Sequence, residues 1–402
     1  MEEKLLATKE ILKKYGQEHL LENYENLSEE NKNVLLNDIL TIDFGEIAEL
    51  YEQTKHKVEF ENCKIEPIDH VEKAKLSDEE LRKYSEIGIQ EIKKGKLAAV
   101  TMAGGQGTRL GHNGPKGTFD LGLESHKSIF EILCDTLKLA KKQYDVVVPW
   151  YIMTSDENND ETVKFFEENN YFDYPKEAIK FFIQGKMPMV DKQGKILLNE
   201  NGLIKQAGAG HGAIFEAMRK NGIIFEMQNK GIEWVFIGGV DNVLVEKKVL
   251  AAGKSVVKAN AHEKVGVFCK KDGKPSVIEY SEISNELAEA VDKNGELLFG
   301  ESHILCNQFN IKILEELAKD KLPYHVAFKK ASYMDEKGNV INPTEPNAYK
   351  FEAFIFDAFS SIPEMLVMRV KREEEFAPVK NAEGVDSPET ARKLYMDYFA
   401  KH

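Results

Sequence analysis

The spacing of hydrophobic and polar positions divides the chain into two parts. In the first part apolar side chains recur at helical intervals, as at Leu5 and Leu12. Ser77 followed by Glu80 is a capping-box pattern that opens another helix. We therefore predict that residues 1–95 form a helical segment that packs on the core of the protein.

Beyond that segment, short apolar runs alternate with stretches of helical period. The runs Leu97–Met102, Ile179–Gln184 and Trp234–Val240 are typical of buried strands. Strands that alternate with helices predict an α/β fold with a mostly parallel sheet and helices on both faces. In such sheets ligands bind beyond the carboxyl ends of the strands, so the residues that follow these runs are candidates for a site. Two further runs around a polar turn predict a β-hairpin over residues 264–281.

Composition and charge narrow the classes of partner. The chain has 402 residues, of which 42% are hydrophobic and 30% charged, as in a globular protein with a large core. Its net charge of −14 argues against broad binding to nucleic acid or membranes, but local cations could still hold a small phosphorylated substrate. We see no signal peptide and no run long enough to span a membrane. The four cysteines lack C-x-x-C spacing, which predicts reduced thiols and a cytoplasmic location.

A glycine-rich stretch with two cations follows the first of these strands. From Gly104 to Gly117 its sequence is GGQGTRLGHNGPKG, and Arg109 and Lys116 are the two cations. Glycine lets the backbone approach a ligand closely, and consecutive N–H groups beside fixed cations can bind an anion. The spacing fits neither the Rossmann fingerprint nor the Walker A motif. The stretch is therefore either a phosphate-binding loop or a plain turn, and its two cations favour the first.

This stretch resembles the signature of the UDP-sugar pyrophosphorylase family (UDPGP type 1), nucleotidyltransferases that make UDP-sugars from UTP. The family signature is an apolar strand, a GGxGTRLG loop and then PKG, and all three parts are present here. Further blocks resemble the UDP-N-acetylhexosamine pyrophosphorylase branch and occur in the same order. These blocks are Pro149–Ser155 (PWYIMTS), Phe181–Gly185 (FFIQG), Gly239–Asn242 (GVDN), Glu279–Ile283 (EYSEI) and Arg372–Asn381 (REEEFAPVKN).

The resemblance implies a reaction and an architecture. The implied reaction converts sugar 1-phosphate and UTP to UDP-sugar and pyrophosphate, by direct in-line attack on the α-phosphate of UTP. The implied fold is Rossmann-like (GT-A-type), with residues 96–402 as the catalytic domain. Its last 60 or so residues are expected to form a small α/β extension that closes the sugar and phosphate site. The chain ends soon after its last block, so it resembles a short, bacterial-type form, and it is compatible with a monomer.

The resemblance also assigns roles to single residues. The catalytic cations that bind the phosphates are Arg109, Lys116 and Lys380. The nucleotide-binding residues are Ala103, Gly104, Gly105, Gly107, Gln184 and Gly210. The sugar-binding residues are His211, Gly212, Glu279 and His303. Asp241 is the expected ligand of a Mg²⁺ (or Mn²⁺) cofactor, because hard cations prefer carboxylate and phosphate oxygens.

Two positions of the expected sugar pocket depart from the N-acetylhexosamine branch. The branch has GNGG where this chain has Gly210–Ala213 (GHGA), and GHG is usual in the UDP-glucose branch. The branch has AGN where this chain has Glu301–His303 (ESH). The sugar is therefore of the glucose, N-acetylglucosamine or galactose type. The alternative function is a catalytically silent UDP-sugar-binding protein, and the presence of all three cations favours the enzyme.

Overall fold

The structure is a computed structural model that describes residues 2–55, 63–242 and 253–401. Its helices within these ranges are α1 (Glu2–Tyr15), α2 (Glu29–Thr41), α3 (Phe44–Gln53), α4 (Asp78–Lys93), α5 (Ile129–Tyr144), α6 (Asn159–Glu168), α7 (Ile214–Lys220), α8 (Ile223–Asn229), α9 (Asn285–Glu289), α10 (Ile311–Leu317), α11 (Arg372–Glu375) and α12 (Pro388–Lys401). Its strands are β1 (Ile65–Pro67), β2 (His70–Glu72), β3 (Leu97–Met102), β4 (Trp150–Thr154), β5 (Ile179–Ile183), β6 (Lys186–Pro188), β7 (Val190–Asp191), β8 (Gln206–Gly208), β9 (Trp234–Gly239), β10 (Gly253–Val257), β11 (Val267–Lys271), β12 (Lys274–Ile278), β13 (Glu301–Asn310), β14 (Tyr324–Lys329), β15 (Tyr333–Met334), β16 (Val340–Ile341), β17 (Ala348–Ala353) and β18 (Val367–Arg369). None of these helices has both the length and the apolar character that crossing a bilayer requires.

The chain divides into two compact units that are interleaved in the sequence. Unit 1 consists of Met1–Asn62, Gly185–Gly212 and Leu322–Phe354. Unit 2 consists of Cys63–Gln184, Ala213–Lys321 and Ile355–His402. Helices α1 to α3 thus fall in unit 1 and α4 falls in unit 2, and the domain boundary predicted after residue 95 stays a prediction.

Unit 1 joins three helices to short antiparallel strands. Strands β14, β17 and β7 form one small sheet, and β6 pairs with β8. Hydrogen bonds tie the first segment of the unit to the later ones. The side-chain amide of Gln17 donates to the carbonyl of Gly194 (2.9 Å), and that of Asn23 donates to the carbonyl of Asp335 (3.1 Å). The helices therefore complete the unit only together with residues far along the chain.

A recurrent turn joins the short strands of unit 1. Asp191, Asn199 and Asp335 each accept backbone N–H groups two and four residues further on, through one side-chain oxygen. Each is followed after three residues by a glycine with positive φ; these are Gly194, Gly202 and Gly338. An Asp or Asn side chain can replace backbone hydrogen bonds in a turn, and the glycine accepts the left-handed backbone. The spacing D/N-x-x-G is therefore a turn signal in this sequence.

The central sheet of unit 2 is mostly parallel, which confirms the predicted α/β fold. Its strand order is β2-β18-β10-β13-β9-β3-β4-β5. Only β13 within this order runs antiparallel to its neighbours, β10 and β9. The other neighbours are parallel, so the carboxyl ends of β3, β5 and β9 lie at one edge. The predicted hairpin is formed by β11 and β12.

Helix α5 covers one face of this sheet beneath the end of β3. It begins at Ser128, whose side chain accepts the N–H of Glu131, as its capping pattern indicates. Its Phe130 contacts the ring of Phe166 with 5.0 Å between centroids, and Trp150 of β4 lies 5.5 Å from Phe166. All three rings are fully buried. This aromatic core fixes α5 and β4 against the strand that leads into the glycine-rich loop.

The amino-terminal region also contains strands that the sequence analysis placed among helices. Strand β1 pairs with β11, and β2 pairs in parallel with β18 at the edge of the central sheet. Each has only three residues, which is too short to show an alternation of apolar and polar positions. Because their pairing partners lie some 200 to 300 residues away, only the folded chain reveals them.

An ion cluster holds helix α8 to the central sheet. The carboxylate of Glu226 accepts hydrogen bonds from Lys230 (2.8 Å), Tyr151 (3.0 Å) and Lys180. Burial opposes ionisation of Glu226, but these hydrogen bonds outweigh burial and lower the pKa of the carboxyl to about 2 from an ordinary 4.5. The cluster therefore stabilises the protein only while Glu226 is ionised.

Candidate active site

The glycine-rich loop leaves the carboxyl end of β3 and folds back on itself. The N–H of Gly107 donates to the carbonyl of Gly114 (2.9 Å), and the N–H of Lys116 donates to the carbonyl of Gly105 (3.1 Å). Arg109 lies in a 3₁₀ turn, Thr108–Leu110, and its side chain is exposed. These bonds give the loop a fixed path instead of the plain turn that the sequence left open. They also place both predicted phosphate-binding cations on one short, internally bonded segment.

Neighbouring side chains occupy the space that a side chain at Gly104 would need. A Cβ built on Gly104 would lie 2.6 Å from Nε2 of Gln184 and 2.9 Å from its Cδ. Gln184 follows β5, and its N–H donates to the carbonyl of Thr154 (2.9 Å). Two predicted nucleotide-binding residues therefore lie in direct contact. At Gly105, by contrast, a Cβ would meet no atom within 4 Å, so this face of the loop is open.

Asn158 holds the start of the loop, and the sequence analysis missed it. Its buried amide donates to the carbonyls of Ala103 (3.0 Å) and Gly105 (3.3 Å) and accepts the N–H of Ser155 (2.8 Å). It thus fixes two backbone carbonyls of the loop. The only sequence signal was its place three residues after the block Pro149–Ser155.

Lys116 and Asp241 form an ion pair at the carboxyl edge of the sheet. Their Nζ and Oδ1 atoms are 2.6 Å apart. The Lys116 side chain is 12% exposed and that of Asp241 is 39% exposed. Arg109 makes no ion pair with any residue that the structure describes. The pair thus joins the loop after β3 to the second residue beyond β9, as the common edge of parallel strands predicts.

The C-terminal block lies directly against Asp241. The N–H of Val379 donates to the carbonyl of Asp241 (2.9 Å), and Asn242 forms an antiparallel bridge with Pro378. Lys380 is the next residue along the chain, and its Nζ lies 3.4 Å from a carboxylate oxygen of Asp386. The three predicted site residues Lys116, Asp241 and Lys380 are therefore joined through Asp241, although 125 to 139 residues of sequence separate it from the two lysines.

The side chain of Asn242 and a buried ion pair also hold this C-terminal block in place. The Asn242 amide donates to the carbonyl of Glu375 (2.8 Å) and accepts the N–H of Ala377 (2.9 Å). The Glu375 carboxylate is paired with Nζ of Lys254 at 2.7 Å, and both side chains are buried. Burial raises the pKa of the nearby Cys306 thiol to about 12, so this cysteine stays protonated at neutral pH.

Two predicted sugar-binding residues in unit 2, Glu279 and His303, both neighbour Gly266. A Cβ built on Gly266 would lie 3.1 Å from a carboxylate oxygen of Glu279, and the carbonyl of Gly266 accepts the N–H of His303 (2.9 Å). His303 is buried, and its Nε2 is 3.1 Å from Oδ1 of Asn307. Its ring meets those of three phenylalanines edge to face; these are Phe268, Phe356 and Phe359. This environment is also that of a structural histidine, and its role in sugar binding stays a prediction.

Glu301, in the second departure from the branch pattern, is part of a charged cluster. Its carboxylate accepts hydrogen bonds from Nε of Arg369 (2.8 Å) and from the hydroxyl of Ser255 (2.6 Å). The His70 ring lies 3.8 Å from the same carboxylate. Glu301 is buried, so this pairing compensates a charge that would otherwise be unfavourable. This chain therefore has Glu301 where the branch pattern has alanine, and it also has the polar partners that a buried glutamate needs.

The remaining predicted residues, Gly210, His211 and Gly212, belong to unit 1. Gly210 has φ of 85°, and a Cβ on it would overlap the backbone of Ala353. A Cβ on Gly212 would lie 2.6 Å from the carbonyl carbon of Phe354. The His211 ring stacks on that of Phe354, with 5.3 Å between centroids and 30° between planes. Both glycines are therefore required for packing, whereas the roles of all three residues in binding stay predictions.

The described residues contain no group of three His, Cys, Asp or Glu side chains that could hold a metal ion by themselves. Mg²⁺, however, is usually bound by one or two carboxylates together with substrate phosphates and water. Asp241 is 39% exposed, which leaves it accessible to such a metal, and it stands beside the loop cation Lys116. The residues present therefore fit a metal that arrives with the nucleotide.

Comparisons with known proteins agree with these observations. The model of the UDPGP family, described as UTP--glucose-1-phosphate uridylyltransferase, matches residues 43–386. The chain is 37% identical to a Saccharomyces cerevisiae protein named UDP-N-acetylglucosamine pyrophosphorylase, covering 97% of this chain and 89% of the yeast protein. It is 35% identical to an Arabidopsis thaliana protein named UDP-N-acetylglucosamine diphosphorylase 2, covering 97% and 83%. A crystal structure of the uridine diphosphate N-acetylglucosamine pyrophosphorylase from Trypanosoma brucei is similar with a TM-score of 0.80 and 28% identity, covering 99% of this chain and 85% of that one.

Proposed function

The chain belongs to the UDPGP family of UTP–glucose-1-phosphate uridylyltransferases, and on that premise we propose which sugar it takes and how its residues act. It is a UTP-dependent uridylyltransferase that converts sugar 1-phosphate and UTP to UDP-sugar and pyrophosphate. We propose N-acetylglucosamine 1-phosphate as the sugar substrate. The support is that the yeast and plant relatives, which align with 97% of the chain, carry that sugar in their names.

The ion pair between Lys116 and Asp241 carries the proposed mechanism. The nucleophile is a phosphate oxygen that is already anionic, so the reaction needs no general base. The difficulty is to bring two anions together and to stabilise the pyrophosphate that leaves, which fixed cations achieve. We assign this work to Lys116 and Arg109 on the loop and to Lys380 on the C-terminal block. Asp241 contacts both segments and so keeps the cations at a common position.

The loop and Gln184 are assigned to the nucleotide. The open face at Gly105 leaves room for the triphosphate beside backbone N–H groups. The Gln184 amide has one donor and one acceptor side, which suits the edge of uracil. Its contact with Gly104 would hold the amide in one orientation.

We assign the cofactor Mg²⁺ (or Mn²⁺) to Asp241. When bound, the metal would withdraw charge from phosphate oxygens of UTP. In the chain itself, Lys116 neutralises the Asp241 carboxylate at 2.6 Å. We also propose a cytoplasmic location, which is supported by four free cysteines.

Glucose 1-phosphate is the second candidate substrate. His211 between two glycines follows the pattern of the UDP-glucose branch, and this single observation favours glucose. Gly210 and Gly212 both pack against the backbone of Ala353 and Phe354, and His211 is the residue between them that carries a side chain. We therefore propose that His211 influences the choice of sugar.

A panel of sugar 1-phosphates tests the function directly. The protein is incubated with UTP, Mg²⁺ and N-acetylglucosamine, glucose or galactose 1-phosphate, and pyrophosphate is measured. We expect release only in the presence of a sugar, with the highest kcat/KM for N-acetylglucosamine 1-phosphate. If the protein binds UDP-sugar but releases no pyrophosphate with any of the sugars, it is instead a catalytically silent UDP-sugar-binding protein.

Lys116→Ala tests the assignment of the loop cation. We expect kcat to fall by several orders of magnitude, about 10²–10³-fold at least, because a fixed charge at the phosphates is lost. The circular dichroism spectrum should stay unchanged. Lys127→Ala is the matched control, since Lys127 is also paired with an aspartate, Asp135, at 2.7 Å but lies outside the site. A near-normal rate for Lys116→Ala would remove it from the mechanism.

His211→Asn tests the proposed selectivity. We expect the ratio of kcat/KM for N-acetylglucosamine over glucose 1-phosphate to rise, since asparagine is the residue of the N-acetylhexosamine branch. His262→Asn is the control, because His262 is exposed and is paired only with Glu289 among the residues that the structure describes. An unchanged ratio would exclude His211 from sugar selection.

A further inference from the structure

The segment that carries Lys380 is held on the chain by a small number of directed contacts. Residues 375–379 run antiparallel to Asp241 and Asn242. At one end the N–H of Val379 donates to the Asp241 carbonyl, and at the other the Asn242 side chain bonds to the backbone of residues 375 and 377. The N–H of Lys380 itself donates to the carbonyl of Asp386 (2.6 Å). The position of Lys380 therefore depends on Asp241 and Asn242, which hold the segment before it, and on Asp386, which holds its own backbone.

Asn242 acts on this segment as an additional peptide group would. It is buried, with 5% of its surface exposed. Its Nδ2 donates to the Glu375 carbonyl at 2.8 Å, and its Oδ1 accepts the N–H of Ala377 at 2.9 Å. Donor and acceptor are thus both used on alternate residues of one strand-like segment, as in a β-ladder. Aspartate, leucine or alanine could not make both bonds.

Two strong hydrogen bonds orient the Asn242 side chain. Asn242 also borders a small cavity of about 30 Å³, which Gly239 and Cys306 line as well. The Cys306 sulfur is 4.0 Å from Nδ2, which is a weak contact. Replacement of Asn242 by alanine would therefore remove the side-chain hydrogen bonds that hold residues 375 and 377.

A second contact fixes the beginning of the same segment. The Glu375 carboxylate accepts a hydrogen bond from Nζ of Lys254 at 2.7 Å, and Lys73 lies 3.7 Å from its other oxygen. Residues 375 to 379 are all buried, and Lys380 is the first residue after them that is partly exposed. The ion pairs of Glu375 thus set the register of residues 375–379 against Asp241 and Asn242. Lys380 is the residue that follows this segment at its other end.

We infer that Asn242 is a positioning residue for Lys380. By bridging residues 375 and 377 it holds the segment that leads into Lys380 against Asp241, whose carboxylate is paired with Lys116, while Glu375 and Lys254 fix the register. This inference rests on the proposed role of Lys380 in phosphate stabilisation. It assigns Asn242 no contact with substrate, so the residue acts on the reaction only through the segment that it holds.

A double-mutant cycle with Asn242→Ala and Lys380→Ala tests the inference. We expect Asn242→Ala to lower kcat by about 10–100-fold, since a displacement of about 1 Å in a catalytic group has effects of this size. KM for UTP should change by less than about threefold, because the loop is untouched. In the Lys380→Ala background the same substitution should change kcat by less than about threefold, since coupled residues are not additive.

Asn347→Ala is the matched control. Asn347 also bonds to backbone with both halves of its amide, accepting the N–H of Ala331 (2.8 Å) and donating to its carbonyl (3.0 Å), but in unit 1. We expect its kcat to stay within about twofold of the wild type. If Asn242→Ala does not fold, Glu375→Gln takes its place, because it weakens the bond to Lys254 without a change of shape. Its effect on kcat should likewise vanish in the Lys380→Ala background.

The possible outcomes separate this inference from the proposed function. If Asn242→Ala lowers kcat by the same factor in the wild-type and Lys380→Ala backgrounds, Asn242 does not act through Lys380. That result would overturn the inference. An undiminished kcat in Lys380→Ala would overturn it too, since no cation would then need positioning. In both cases the wild-type protein still releases pyrophosphate, whereas failure of the proposed function would appear as no release by the wild type.

Discussion

Substitution of Gly104 by alanine should weaken UTP binding through the side chain of Gln184. The new Cβ would lie 2.6 Å from Nε2 of Gln184, whereas ordinary contact begins at 3.4 Å. The amide must therefore retreat by about 0.8 Å, the difference between these two distances. A hydrogen bond of about 2.9 Å to uracil would stretch to about 3.7 Å, which is outside the bonding range.

The expected magnitude follows from the number of bonds lost. One neutral hydrogen bond contributes about 1 kcal/mol, which corresponds to about a fivefold rise in KM for UTP, and two bonds correspond to about a 30-fold rise. The free energy of unfolding should change little, because the group that moves is the end of a flexible side chain. The assay is pyrophosphate release at saturating sugar 1-phosphate with UTP varied, together with urea unfolding.

Two controls make this prediction specific. Gly105→Ala introduces the same methyl group one residue further along the loop, where its Cβ would meet no atom of a residue beyond its chain neighbours within 4 Å, so the Gln184 amide stays in place and KM should rise less than in Gly104→Ala. In a Gln184→Ala background, Gly104→Ala should add no further rise in KM, because the amide is already absent. A full rise in that background, or no rise in the wild-type background, would refute the argument that Gly104 acts through Gln184.

Two further predictions concern the supports of the site and of the fold. Asn158→Ala removes two buried hydrogen bonds to the carbonyls of Ala103 and Gly105. It should therefore lower the free energy of unfolding by about 1–3 kcal/mol and raise KM for UTP. An unchanged midpoint of urea unfolding would contradict this prediction. The pKa of Glu226 is lowered to about 2, so its contribution to stability is present above pH 4.5 and is lost as the pH falls from 4.5 towards 2. The difference in melting temperature between the wild type and Glu226→Gln should therefore shrink over that interval, and a constant difference would contradict it.

Local patterns predicted the parts of the site that lie within one stretch of sequence. The strand Leu97–Met102, the glycine-rich loop after it and the helix that begins at Ser128 each follow from the order of apolar, glycine and capping residues. The position of Asp241 at the end of β9 follows in the same way. Because parallel strands end at one edge, the proximity of Lys116 and Asp241 could also be expected.

Contacts between distant residues could not be predicted in this way. The antiparallel direction of β13 within the parallel sheet depends on pairing with β9 and β10, and no pattern within β13 encodes it. Asn158 and Asn242 support the site through bonds to backbone carbonyls, which any residue type supplies, so the partner segments carry no signal. Asn242 lies beside Asp241 in the GVDN block, and this adjacency was the one available clue.

The interleaving of unit 1 has a consequence for synthesis of the protein on the ribosome. Asn23 donates to the carbonyl of Asp335, and the two residues are 312 positions apart. At about 5–20 residues per second, the second partner is made about 16–60 seconds after the first. During that time Asn23 lacks the later segment to which its side chain bonds in the folded unit, as Gln17 does until Gly194 has been made. Unit 1 can therefore be completed only near the end of synthesis, after much of unit 2 has already been made.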